Sequence, residues 1–120
     1  MNGVRRPYFE VTTPYDRAPQ VVCWEDTWIG HISVHRRDTE ENRQYAIAAL
    51  SAPTIILPVH SNYIMFVNEN QRSTNSGSPF GVVVDPRGDP LPAVASIGFR
   101  RDLLKNVNRT DALWLSTPEK

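Results

Sequence analysis

Two of the three histidines of this 120-residue chain lie in one short segment, Trp28-Ile29-Gly30-His31-Ile32-Ser33-Val34-His35-Arg36-Arg37-Asp38. If the segment is helical, His31 and His35 lie one turn apart, on the same face as Trp28. Imidazole exchanges a proton near neutral pH, and a guanidinium group binds phosphate oxygens in a two-pronged arrangement. Two histidines beside Arg36 and Arg37 therefore predict chemistry on a phosphodiester.

Two other interpretations of these histidines stay open. Next to Trp28 and Ile32, both imidazoles could be buried, hydrogen-bonded structural groups. Their spacing also suits two metal ligands on one helix face, but the chain has no His-Glu-x-x-His motif, and a third ligand would have to come from His60 or a carboxylate. We therefore expect no metal and no cofactor.

Overall charge gives no global attraction to a polyanion. The chain has 13 Lys and Arg against 13 Asp and Glu, a formal net charge of zero, so no long-range field draws it to nucleic acid or membrane. Local charge is less even. Arg36 and Arg37 form one basic pair, and Arg100 and Arg101 belong to a second basic group, so a basic groove on a neutral protein could still hold a polyanion.

The number of cysteines and the length of the apolar runs predict the cellular compartment of the protein. The single cysteine, Cys23, excludes an intrachain disulfide and favours a reducing compartment. Its apolar neighbours Val22 and Trp24 predict a buried, unreactive thiol. No run approaches the ~20 apolar residues of a membrane span, and the N-terminus has no signal-peptide pattern. We expect a cytoplasmic protein without a membrane partner.

Two helices and several strands should position the chemistry-bearing residues. The first helix is predicted over residues 26–35. The second begins with a capping box from Asp38 to Glu41 and ends before Pro53, and a third, short one is predicted over residues 101–107. Strands are predicted over residues 8–13, 21–24, 54–57, 63–68, 80–85, 93–99 and 113–115, with a polar loop over residues 69–79. The expected fold is α+β: two N-terminal helices packed on a three- to five-stranded antiparallel sheet, in one domain (residues 1–120) with an ordered core over residues 8–115.

The order of several short motifs resembles the barnase-EndoU-colicin-RelE ribonuclease superfamily, in particular its phage and cyanobacterial branches. The motifs are an aromatic residue followed by His-Ile, a helix ending in Ser-x-Pro, a valine-rich strand, a later strand with a small residue and an aromatic, and a closing Leu-Trp. In this chain they are Trp28 with His31-Ile32, Leu50-Ser51-Ala52-Pro53, Val82-Val83-Val84, Ser96-Ile97-Gly98-Phe99 and Leu113-Trp114.

The resemblance implies metal-independent endoribonuclease activity, in which a base activates the 2′-hydroxyl and an acid protonates the leaving 5′-oxygen. It implies that His31 and His35 carry the two proton transfers with Ser96 assisting. The residues expected to bind the RNA phosphates and bases are Arg36, Arg37, Tyr63, Arg100 and Arg101. Domains of this type act as toxins or phage-linked effectors, which implies RNA as the substrate and an antitoxin or immunity protein as a partner.

The chain departs from the superfamily at two positions. Arg36-Arg37-Asp38 stands where the superfamily has His-Pro-Glu, and Ser96 stands where it has threonine. The alternative to a ribonuclease is thus a non-catalytic RNA- or protein-binding module of the same fold, favoured if the arginines fill the groove where a histidine would act. A structural protein with buried, unreactive histidines is the third possibility.

Overall fold

Seven strands form one mixed sheet in the part of the chain that the structure describes. The structure is a computed structural model that describes residues 6–32, 40–59, 62–72, 79–88, 90–99 and 112–116, and for His31, Arg72 and Phe99 it describes the main chain alone. The strands are β1 (Pro7–Thr12), β2 (Gln20–Trp24), β3 (Ile55–Pro58), β4 (Ile64–Arg72), β5 (Pro79–Asp85), β6 (Ala93–Phe99) and β7 (Trp114–Leu115).

The strand order across the sheet is β1-β2-β6-β5-β4-β3-β7. Neighbouring strands are antiparallel except β2 and β6, which run parallel and pair Val22 with Ala93. Because of these directions, the three connections β1–β2, β3–β4 and β5–β6 all lie at the same end of the sheet. We call this the turn end.

The helices follow β2. A short helix α1 (Glu25–Thr27) continues directly into a π-helix (Trp28–Ile32), and α2 (Glu40–Ser51) precedes β3. In α2 the acidic Glu40 and Glu41 lie in the first turn, where they interact favourably with the helix dipole. Its buried residues Ala46, Ala49 and Leu50 are spaced by three and four positions, so one narrow face packs on the sheet.

Apolar side chains are buried on both faces of the sheet, because alternate residues of a strand point to opposite sides. The first face, against which α2 packs, carries the larger cluster, which includes Phe66 and Phe80 from the central strands and Trp28 and Ile32 from the π-helix. The smaller cluster on the second face consists of Ile55, Leu57, Met65 and Val67, with Val83 and Ala112 packed against it.

The predicted arrangement of two N-terminal helices on a three- to five-stranded antiparallel sheet is wrong. Two strands precede the helices, the described residues form seven strands, and one strand pair is parallel. The reason is that β1 and β2 join the sheet beside β6, which follows them by about 70 residues and could not be recognised as their neighbour from local pattern.

Most single elements agree with their predicted positions. The predicted strands over residues 8–13, 21–24, 80–85, 93–99 and 113–115 correspond to β1, β2, β5, β6 and β7. The predicted first helix is described as far as Ile32, with π geometry in its second half, whereas Asp38 of the capping box and the helix predicted over residues 101–107 lie outside the described residues. None of the helices within the described ranges has the length and apolar character needed to cross a bilayer.

Burial of Cys23 agrees with the sequence prediction. The side chain is fully buried in the first-face cluster. Burial, with a smaller contribution from the carboxylate of Asp26, raises the pKa of the Cys23 thiol from 9.0 to about 12. The thiolate, which is the nucleophilic form, is therefore scarce in the folded protein at any physiological pH.

We expect the native thiol of Cys23 to resist alkylation by iodoacetamide at pH 8, while the guanidinium-unfolded chain takes up one equivalent. Above pH 9 the unfolded state loses the thiol proton before the folded state does, so stability should fall as pH rises from about 9 towards 12. Urea unfolding at pH 8 and pH 10 measures this slope, and a Cys23→Ala variant should show less of it. Rapid alkylation of the native protein would contradict the burial.

Candidate functional site

A cleft of about 380 Å³ opens at the turn end of the sheet. It lies where the β1–β2 loop, the β3–β4 connection and the β5–β6 turn meet the start of β7. The lining residues are Tyr15, Arg17, Pro58, Val59, Asn62, Tyr63, Ile64, Pro86 and Leu113. Among these described residues there is no carboxylate, and they combine aromatic and aliphatic surface with the Arg17 guanidinium and the Asn62 amide.

The β1–β2 loop is fixed by a buried threonine. The Thr13 hydroxyl donates a hydrogen bond of 2.6 Å to the carbonyl of Ala18 and accepts one of 3.1 Å from the Tyr15 amide. The Ala18 amide in turn donates to the Tyr15 carbonyl at 3.1 Å. These bonds fold the loop onto the first face, where the Tyr15 ring packs edge-on against Phe66 with 6.3 Å between ring centroids. Tyr15 is thus held in place before any ligand arrives.

The β3–β4 connection supplies the second wall. The Val59 amide donates to the Tyr63 carbonyl at 2.9 Å, which closes the connection. Asn62 has a φ of 65°, a left-handed conformation that asparagine adopts more readily than most residues. This conformation places Asn62 at the cleft beside the half-buried ring of Tyr63.

The β5–β6 turn contributes a second arginine next to the cleft. The Asp85 carboxylate accepts hydrogen bonds from the Arg87 amide at 2.9 Å and from Arg87 Nε at 3.3 Å. The Arg87 guanidinium lies 5.8 Å from the centroid of the Tyr63 ring, within cation–π range. Asp85 therefore orients Arg87 against Tyr63 and offsets much of its charge.

Arg17 differs from Arg87 in its electrostatic surroundings. Its side chain is exposed and forms no ion pair or hydrogen bond with any residue in the described ranges. A guanidinium that has no partner among the described residues and lies at the edge of a cleft is available to an anionic group of a ligand.

The predicted site residues do not come together within the described structure. Tyr63 lines the turn-end cleft. The main chain of His31 lies in the π-helix, which follows β2 at the end of the sheet opposite the turn end. Because two strands separate β2 from β4, the axes of these strands lie about 14 Å apart. The remaining predicted residues His35, Arg36, Arg37, Arg100 and Arg101 lie outside the described residues.

Ser96 lies on the second face of the sheet. It is half-buried in β6 opposite Val83, and cross-strand partners share a face. Val83 packs against the second-face cluster, whereas Trp28 and Ile32 of the π-helix belong to the first-face cluster. Ser96 and the π-helix that carries His31 therefore lie on opposite faces of the sheet, whereas the prediction requires the two residues to act together.

Sequence reasoning missed four residues of the cleft and its rim: Tyr15, Arg17, Asn62 and Arg87. For Tyr15, Arg17 and Arg87 the signal is the turn composition between predicted strands, namely Pro14-Tyr15-Asp16-Arg17 and Pro86-Arg87-Gly88. A turn does not require an aromatic residue or an arginine to reverse the chain. Such a residue in a turn could therefore have been predicted from the sequence to contact a ligand.

Comparison with protein-family models, curated proteins and solved structures gives no match to this chain. The resemblance to the barnase-EndoU-colicin-RelE superfamily, and the antitoxin or immunity partner that it implies, therefore stay predictions from sequence motifs.

Proposed function

We propose that this chain is a non-catalytic RNA-binding module that holds one nucleotide of a single strand in the turn-end cleft. The observation that carries the proposal is the presence, on the walls of one cleft, of the Tyr63 ring and the Arg17 guanidinium, which has no ion pair with any described residue. Single-stranded RNA is recognised by stacking of its splayed bases on aromatic side chains and by cations that contact its phosphates.

The size of the cleft favours one nucleotide over a longer or double-stranded segment. A volume of about 380 Å³ is near the lower end of small-ligand pockets, which start at roughly 300 Å³. A base, its ribose and one phosphate fit such a space, whereas a duplex keeps its bases stacked inside. The volume of the cleft therefore supports a single unpaired nucleotide as the ligand.

Neutral net charge is consistent with this limited contact. Each phosphate neutralised on a single strand contributes a salt slope of about −0.7 to log K. Because Arg17 has no ion pair with any described residue and Arg87 is held by Asp85, we expect a slope between about −0.7 and −1.4. Binding should thus be weaker and less salt-dependent than that of proteins with extended basic surfaces.

The arrangement favours binding over cleavage. The ribonuclease prediction depends on His31, His35 and Ser96, and Ser96 lies on the face of the sheet opposite the cluster that holds the π-helix. Among the described residues that line the cleft there is no histidine and no carboxylate that could transfer a proton, whereas His60 of the β3–β4 connection lies outside the described residues. The tyrosine and arginine side chains of the cleft are groups that bind.

The proposal predicts that Tyr63→Ala weakens RNA binding about tenfold, because one base–aromatic stack contributes about 1–3 kcal/mol. Arg17→Ala should weaken it about threefold and reduce the salt slope by about 0.7. The measurement is fluorescence anisotropy of a labelled mixed-sequence oligoribonucleotide of about eight nucleotides, with EDTA, over a range of salt concentrations.

Arg43→Ala is the matched control for the charge change. Arg43 is a half-exposed arginine of α2 that lies 5.6 Å from the Tyr8 ring and pairs with Glu40, away from the turn end. Its removal should leave RNA affinity unchanged. Absence of binding by the wild-type protein, or equal losses in Arg17→Ala and Arg43→Ala, would overturn the proposal. Cleavage to cyclic-phosphate ends that His31→Ala abolishes would establish the ribonuclease instead.

A further inference from the structure

The cleft wall contains Tyr15, a buried residue whose hydroxyl has no hydrogen-bond partner among the described residues. Tyr15 is 5% exposed, and its main-chain amide and carbonyl are bound within the β1–β2 loop. Its hydroxyl forms no hydrogen bond to any residue in the described part of the chain. Buried tyrosine hydroxyls usually find a partner. The unused hydrogen-bonding capacity of Tyr15 in a ligand-sized cleft therefore points to a group that enters from outside.

Asn62 offers a second unused polar group at the same cleft. Its side chain is exposed and makes no hydrogen bond within the described residues. A side-chain amide carries both a donor and an acceptor, and a hydroxyl can serve as either. Tyr15 and Asn62 can thus match a ligand whose edge presents donors and acceptors side by side.

We propose that Tyr15 and Asn62 read the edge of an unpaired nucleobase, so that the cleft selects among bases. The base stacks on the side of the Tyr63 ring that the Arg87 guanidinium does not cover. This inference rests on the proposed RNA binding. A base combines a flat aromatic face with a polar edge, and no other part of a nucleotide has both. Arg17 then contacts the neighbouring phosphate, which carries no sequence information. Specificity would lie in Tyr15 and Asn62, and most of the affinity in Tyr63 and Arg17.

Tyr15→Phe tests the hydroxyl alone, since the ring and its edge contact with Phe66 are kept. The wild-type protein should prefer one of four homopolymeric oligoribonucleotides and should bind an abasic version of it about tenfold more weakly. Tyr15→Phe should reduce the preference for that base by about three- to tenfold, as expected for one hydrogen bond. Its affinity for the abasic strand should not change.

Asn62→Gly removes the amide while keeping the left-handed backbone accessible, and should reduce the same preference. Tyr45→Phe is the matched control, because it deletes a hydroxyl that donates to Glu41 on α2, outside the cleft lining. It should leave binding unaltered.

The outcomes separate this inference from the proposed function. Equal affinity of the wild-type protein for all four strands and for the abasic strand would overturn base reading while RNA binding stands. No binding to any strand would overturn both. A melting temperature several degrees lower for Tyr15→Phe would show that the hydroxyl has a structural partner, which would also overturn the inference. An unchanged or higher melting temperature with a reduced base preference is the expected result.

Discussion

Replacement of Phe66 by alanine is expected to lower the free energy of unfolding by about 4 kcal/mol. Phe66 is fully buried in the first half of β4, opposite Ile56 on β3 and Val82 on β5. Removal of its ring deletes apolar contacts and leaves a cavity that three paired strands cannot easily close. The same ring supports Tyr15 from the side, so the variant should also lose order in the cleft.

Urea unfolding of the wild-type and variant proteins measures the effect as a shift in midpoint at similar slope. Phe66→Leu fills part of the cavity and should lose about half as much stability. Ile29→Ala is the surface control: Ile29 is 61% exposed, so its truncation should change stability by less than about 0.5 kcal/mol. A loss below about 1 kcal/mol for Phe66→Ala would show that β4 is not central to the core.

Local pattern was sufficient for strands whose residues alone determine their conformation. The run Val82-Val83-Val84 is β-branched and apolar, and β5 is where it was predicted. β6 agrees with its prediction at both ends. In each case burial on one or both faces follows directly from the sequence pattern.

The polar second half of β4 was not predicted, because residues that are distant in the sequence stabilise it through hydrogen bonds. Residues 69–79 were predicted as a loop, whereas β4 continues to Arg72 and pairs there with Pro79. The Glu69 amide donates to the Thr54 hydroxyl at 3.0 Å, and the Asn68 amide group donates to the Ala52 carbonyl at 2.9 Å. These hydrogen bonds link β4 to the end of α2 and the start of β3, which local sequence does not reveal.

Strand pairing explains why the architecture was predicted less well than its elements. The parallel contact between Val22 and Ala93 joins two segments that periodicity treats independently. The cleft depends on the same pairing, because the parallel arrangement of β2 and β6 puts the β1–β2 loop at the same end of the sheet as the β5–β6 turn. Tyr63 could be named from its type, but Tyr15 and Arg17 become its neighbours only through the fold.

The second large effect concerns the β5–β6 turn, which carries Pro86 and Arg87 to the cleft. Gly88 donates its amide to the Asp85 carbonyl at 3.3 Å within this turn. A Cβ atom on Gly88 would lie 2.4 Å from the main-chain oxygen of Leu91 and 3.2 Å from the amide nitrogen of Ala93. Main-chain atoms cannot rotate away as a side chain can, so the turn itself would have to open.

We therefore expect Gly88→Ala to lower the free energy of unfolding by about 3 kcal/mol, the upper part of the range for overpacking. Gly30→Ala makes the same substitution at a position where we expect the free energy of unfolding to rise instead of fall. Among the described residues, no atom beyond the helix's own neighbouring backbone and the two adjacent residues lies within 4 Å of a Cβ at Gly30. Alanine favours helical conformation over glycine, so stability should rise by about 0.5–1 kcal/mol. Urea unfolding of both variants tests the pair. Equal effects at the two glycines would mean that the β5–β6 turn can relax without loss, and the position of Arg87 beside Tyr63 would then not be fixed by the turn.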